Sequence, residues 1–285
     1  MTDFHGEPTE TLHTPHFTLD YLTIATRIVR FGPAGGPNLL ADLGLASLTT
    51  PYGEFRFRGG HRLWHSPEAM PRTYIPDNEG AEITHTASGV RICQPAEPWT
   101  HIAKSLEIIP GDSAQVKIIH TLRNEGAWAV ELAPWALTML RPGGIAIFPQ
   151  PVQNTGLLAN RQLSIWPYTH IDDPRITLRD DFILLRASPT LPPVKLGYFN
   201  PHGWMAYWLD GVLFVKRFEP RPGLPHPDGS CNTETYCNHQ FIELETLGPL
   251  LKLAPHEETI HTETWELYNN LSQPFIPENI HNLLA

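Results

Sequence analysis

Apolar and polar positions alternate along most of the chain with a period of two. In the run from Ala114 to Leu122, Val116, Ile118 and Leu122 fall on one face together with His120. The segment Phe241 to Thr246 sets Ile242 and Leu244 against Glu243 and Glu245. Gly211 to Phe218 is apolar on both faces until Lys216 and Arg217, and Thr259 to Tyr268 alternates again. This pattern predicts strands with at least one face in a core. Turn-forming residues separate the runs at Gly32-Pro33, Pro110-Gly111-Asp112, Arg141 to Gly144, Asp210-Gly211 and Pro227 to Gly229. Helical periodicity is scarce. The best helix candidate is the tail from Pro277 to Leu284, which opens on a first-turn proline. The expected fold is all-β: one large antiparallel sandwich with few short helices. Residues 16–285 are expected to form that single domain, behind a loose N-terminal arm of residues 1–15.

A length of 285 residues suits one large β domain. The 29 prolines and 21 glycines are spread along the whole chain, as many short strands joined by turns require. The net charge of −10 comes with no basic cluster, which argues against nucleic acid or an anionic membrane surface as partner. The longest apolar runs are strand-sized, so no membrane span is expected. The opening residues, MTDFHGEPTETLH, contain acids and no apolar run, so they do not read as a secretory leader. Cys93, Cys231 and Cys237 cannot all pair. Six residues separate the last two, about 20 Å in an extended strand, too far for a local disulfide. A reducing, cytoplasmic location is the simpler expectation.

Chemistry concentrates in a few places. Gly59-Gly60 permits a sharp turn and a close backbone approach, and His61, Arg62 and Trp64 follow it. An imidazole, a guanidinium fork and a flat indole are what a sugar needs: planar polar groups for its hydroxyls and an aromatic face for its C–H surface. The bland alternative is a loop anchored by a core tryptophan. Glu243 and Glu245 point the same way from one strand, with β-carbons roughly 7 Å apart. On a concave face their repulsion raises one pKa and makes a proton carrier; facing water they are solubilising residues. Glu234 is a third carboxylate nearby in sequence. The fifteen histidines show no metal-binding spacing, and no nucleophilic serine, phosphate-loop or dinucleotide signature is present. Neither a metal nor a cofactor is expected.

Taken together, several segments resemble a known superfamily. They are Arg27-Ile28 with Gly36 to Leu40, Gly59 to Trp64 with Pro67-Glu68, Ala133 to Thr138, and Arg141 to Gly144. Gly203-Trp204 with Leu213 to Lys216, and Glu243 to Pro249, complete the set. In order and spacing, over roughly residues 17 to 270, the chain is similar to the galactose-mutarotase-like (aldose 1-epimerase-like) superfamily. The resemblance implies a β-supersandwich with a sugar site on one concave face. It assigns the catalytic base to Glu245 of Leu244-Glu245-Thr246 and places Arg62 near the sugar-holding region. Mutarotases carry an acid histidine after their central strands; this chain has Pro134-Trp135-Ala136-Leu137-Thr138-Met139 at that place. His61 or His202 would have to substitute. In this frame Trp64 and Trp135 are stacking surfaces, His61 and Arg62 read hydroxyls, and Lys216 neighbours the carboxylates.

The expected partner is therefore a small carbohydrate. One reading is an aldose 1-epimerase-type isomerase using Glu245 and His61. A non-catalytic sugar-binding module needs only the aromatic and Arg groups. A glycoside hydrolase or lyase would need a carboxyl pair drawn from Glu234, Glu243 and Glu245.

Overall fold

The computed structural model describes residues 2–189, 192–271 and 277–284. Two large antiparallel sheets, of eleven and ten strands, face each other. Apolar residues from both sheets fill the space between them. Phe31 of the first sheet meets Phe214 and Trp265 of the second, with ring centroids 5.7 and 5.2 Å away. The alternation read from the sequence holds here. In the strand Gln115–Asn124, Val116, Ile118, His120 and Leu122 are all buried while Gln115, Lys117 and Arg123 are exposed. Asp210 and Gly211 join the strands Trp204–Leu209 and Val212–Phe218 with φ of 51° and 83°. Two left-handed residues in succession match the twist of a two-residue hairpin.

Helical structure is slight among the described residues. It comprises helical turns at Arg72–Tyr74 and Pro227–Ser230, and the tail, where Pro277–Asn279 leads into the helix Ile280–Leu284. Ile280 is fully buried against the second sheet's outer apolar cluster, which explains why a five-residue helix persists there. Among the described residues no helix is long and apolar enough to cross a membrane. Cys93, Cys231 and Cys237 are free thiols.

The N-terminal segment corrects an expectation. Within the span 1–15 expected as a loose arm, Thr2–Phe4 and Glu7–His13 are strands at one edge of the first sheet, and the latter pairs with Phe17–Leu22. Their polar sequence concealed this because part of their anchoring is ionic. Glu7 is buried and accepts from Arg58 Nε at 2.6 Å and Nη2 at 2.7 Å.

Candidate functional site

Five adjacent strands of the first sheet build the site: His61–Ser66, Val130–Leu140, Ile242–Leu247, Thr233–Cys237 and Val194–Tyr198. Their register sets Arg62 opposite Leu137, Leu137 opposite Glu245, Glu245 opposite Glu234, and Glu234 opposite Gly197. Residues directly opposite one another share a face. The next positions on that face include Trp64, which pairs with Trp135, and Glu243, which pairs with Met139. The intervening residues, such as Leu63 and Leu244, enter the core between the sheets. The early Arg–Trp segment and the late glutamates therefore converge on the outer face.

Gly59 and Gly60 set the entry to the first of these strands. Both have positive φ, 83° and 67°. A Cβ on Gly59 would stand 2.2 Å from the Ala41 carbonyl oxygen, and one on Gly60 2.1 Å from that of Ile28. The expected close approach is real, but its partner is the chain's own backbone. Gly197 has a related role, since a Cβ there would meet Glu234 Cγ at 2.9 Å. Its bareness leaves room for that buried carboxyl.

A cavity of about 530 Å³ lies over this face. Its aromatic walls include Trp64, Tyr74, Trp135, Trp166, Tyr168 and Tyr236. Polar groups reach it from Glu68, Lys195, Glu243 and Asn238. The Trp64 and Trp135 rings meet edge to face with centroids 5.3 Å apart. Arg62 is fully buried, stacks on Trp64 at 4.9 Å and donates to the Phe57 carbonyl. It supports the ring and does not line the cavity.

The charges are arranged around Lys195. Its ammonium donates to Glu245 Oε2 at 3.0 Å, lies 2.9 Å from Glu234 Oε2, and sits 4.7 and 4.8 Å from the ring centroids of Trp135 and Trp166. Burial opposes its charge, but Glu245 and Glu234 together outweigh burial and hold its pKa well above the usual lysine value. Trp135 Nε1 also donates to Glu245 Oε2, at 2.7 Å, leaving Oε1 buried without a partner. Burial raises the Glu234 carboxyl well above the ordinary range, with Lys195 opposing. Burial, then the neighbouring Glu245, pushes Glu243 up to about 8. Glu243 is the carboxyl that reaches the cavity.

Three expected site residues lie elsewhere. His61 precedes Arg62 in the same strand, so it faces the opposite way. It is fully buried between the sheets, with Nδ1 on Thr138 Oγ1 at 2.9 Å and Nε2 2.8 Å from His120 Nε2. Lys216 also lies there, 2.8 Å from Glu263 and donating to the Leu244 and Ala136 carbonyls. It is separated from the cavity by the first sheet. His202 lies in the turn before Trp204–Leu209, with Nε2 3.0 Å from the Gln150 carbonyl oxygen, and does not line the cavity. Donor atoms of His61, His120 and Glu263 come within 4.8 Å of one another, a spacing that suits a metal ion. However, the two imidazoles bond each other and Lys216 supplies a cation to Glu263, so those donors already have internal partners. The sequence reading missed Lys195, Trp166, Tyr168 and Tyr236. The run Pro192 to Tyr198 alternates as a strand does, but no local pattern points the Lys195 ammonium at Glu245.

No family model matches the chain, and no curated protein sequence matches it. Solved structures do. A galactose mutarotase-like protein from Lactobacillus casei aligns over 92% of this chain and 100% of its own, at TM-score 0.57 and 8% identity. The chain has the galactose-mutarotase-like fold. A galactose mutarotase related enzyme from Lactobacillus acidophilus aligns over 94% of this chain and 100% of its own, at TM-score 0.59 and 7% identity. A TPR-domain containing protein from Parabacteroides distasonis gives TM-score 0.65 at 13% identity, covering 95% of this chain and 48% of its own. Mutarotase-like architecture thus persists at identities where side chains are free to differ, and the function must be argued from the site.

Proposed function

We propose that the chain binds a monosaccharide in the aromatic-walled cavity. The observation that carries this is a hollow of about 530 Å³ whose walls are flat rings and which receives the carboxyl of Glu243. The volume falls within the range of small-molecule sites. Rings offer surfaces for the C–H faces of a pyranose, while Glu243, Asn238 and the tyrosines offer partners for its hydroxyls. The mutarotase-like neighbours favour the same ligand class.

The carboxyl pair favours a second reading, aldose 1-epimerisation. Glu243 and Glu245 share a face, Glu243 raised by burial and Glu245 ion-paired with Lys195, an arrangement that suits an acid and a base. Glu245 is buried behind the lining residues Trp135 and Lys195, which hold its Oε2, so this reading requires that lining to part for Oε1 to take the anomeric hydroxyl proton. Glu243 gives its proton to the ring oxygen, the C1–O5 bond breaks as the aldehyde forms, and reversal after rotation recloses the ring. This replaces the missing histidine with a glutamic acid.

Calorimetry against a hexose panel tests binding, and exchange NMR on the same sugars tests turnover. We expect binding that weakens in Trp166→Ala. Failure of every sugar in the panel to bind would remove the sugar reading. Acceleration that survives Glu245→Gln would remove the acid–base assignment, and binding without acceleration would leave a sugar-binding protein.

A further inference from the structure

We infer that the cavity prefers a positively charged sugar, an amino sugar whose ammonium replaces a hydroxyl, over neutral or anionic hexoses. This rests on the sugar-binding reading and names the ligand class of that site. Three observations carry it. First, the cavity is lined by two carboxyl groups, Glu68 and Glu243, against one cation, Lys195, with Arg62 buried behind Trp64. Both cations are engaged, Lys195 by Glu234 and Glu245, and Arg62 by the Phe57 carbonyl and the Trp64 ring. Among the described residues lining the cavity, Lys195 is the only cation, so no free one awaits a phosphate or carboxylate.

Second, Glu243 reaches the cavity and makes no ion pair there, while Glu68 stands at the rim. Third, the walls already host an ammonium. Lys195 Nζ lies 4.7 Å from the Trp135 centroid and 4.8 Å from that of Trp166, within the distance at which a cation is attracted to a ring face. A ligand ammonium placed between Glu243 and such rings gains charge attraction and ring contact together.

The inference has a proton signature. Glu243 is held at about 8 by burial and by Glu245, with Lys195 and Arg62 opposing and Glu68 adding to the rise. Tyr74, Tyr236 and, through the sheet, Lys216 also sense its charge. A cation beside Glu243 favours the carboxylate, so binding at pH 7 releases a proton, and binding above pH 8 does not.

The test is calorimetry at pH 7, in two buffers of different ionisation enthalpy. The ligands are D-glucosamine and D-galactosamine, the parent hexoses, the N-acetyl forms and the 6-phosphates, with tetramethylammonium as a cation without a sugar. We expect the amino sugars to bind on the order of tenfold tighter than the neutral forms, as a charge-assisted hydrogen bond allows. The phosphates should bind weakest, up to one proton should be released, and the amino-to-neutral ratio should fall towards one in Glu243→Gln. Equal binding of amino, acetylated and neutral sugars, or tightest binding of the phosphates, overturns the charge preference while the sugar reading stands. Binding of tetramethylammonium with no sugar bound supports the cation site and sinks the sugar reading. Absence of all binding overturns both. The wild-type panel decides the matter even where the variant fails to fold.

Discussion

The strand Ile242–Leu247 has two buried faces of very different character. On the inner face Thr246 and the Leu244 carbonyl join a network with Lys216, Glu263, His61, His120 and His261, in which the charged and ring groups have partners. Trp265 Nε1 completes it by donating to Glu263 at 2.8 Å. On the outer face Glu243, Glu245 and Glu234 are just as deeply placed, yet Glu245 Oε1 and Glu234 Oε1 lack a partner, and Lys195 alone serves Glu234 Oε2. Burying polar atoms is costly unless partners satisfy them. The inner network meets that demand and reads as structure. The outer set leaves it open, and an opening beside a cavity reads as a place for a ligand.

The comparison breaks hardest at Lys216. Lys216→Met leaves the Glu263 charge buried without its cation, and we expect a loss of about 3–5 kcal/mol in urea unfolding. Much of that loss should return in a double variant that also carries Glu263→Gln. A small effect of Lys216→Met alone would mean that the inner network is not the structural one.

The two faces should also oppose each other in pH. Burial depresses His261 to about 3, with Glu263 opposing and His120 and Lys216 adding to the fall, so its neutral form is favoured in the folded state. The unfolded chain then binds more protons below pH 6.5, and this group's contribution to stability is lost as pH falls towards 3. Glu243 is the reverse case. Its folded pKa of about 8 exceeds its ordinary 4.5, so the folded state holds the extra proton and stability falls as pH rises through that window. Glu243→Gln should gain on the wild type by about 1 kcal/mol per pH unit between pH 5 and 8, read from unfolding midpoints. His261→Gln should instead flatten the acid limb. A slope left unchanged in either variant would assign that limb to other groups.

The smallest effect sharpens the outer face. Trp166 is only partly buried, so Trp166→Ala should cost sugar affinity about 1 kcal/mol while leaving the unfolding midpoint nearly unchanged. A large loss of stability would make that ring part of the scaffold.

Much of this was legible in the alternation. It placed His120 with Val116, and it set Glu243 and Glu245 against Leu244. It was insufficient at His61. Adjacent residues of one strand face opposite ways, so His61 and Arg62 could not both meet a sugar. Because both faces of that strand are buried, polarity alone did not say which was which. Lys216 was misplaced for the same reason. Lys195 and Trp166 were not legible at all, because their proximity to Glu245 and Trp135 arises from sheet order and not from local sequence. Glu7 was hidden because an ion pair, which leaves no hydrophobic trace, helps hold its strand.

The crowding of indoles around the Lys195 ammonium has a practical outcome. Trp64, Trp135 and Trp166 all border the hollow, and two of them share that one nitrogen as a neighbour. Any occupant that displaces water from these rings changes their light emission, so the molecule carries its own optical gauge of occupancy.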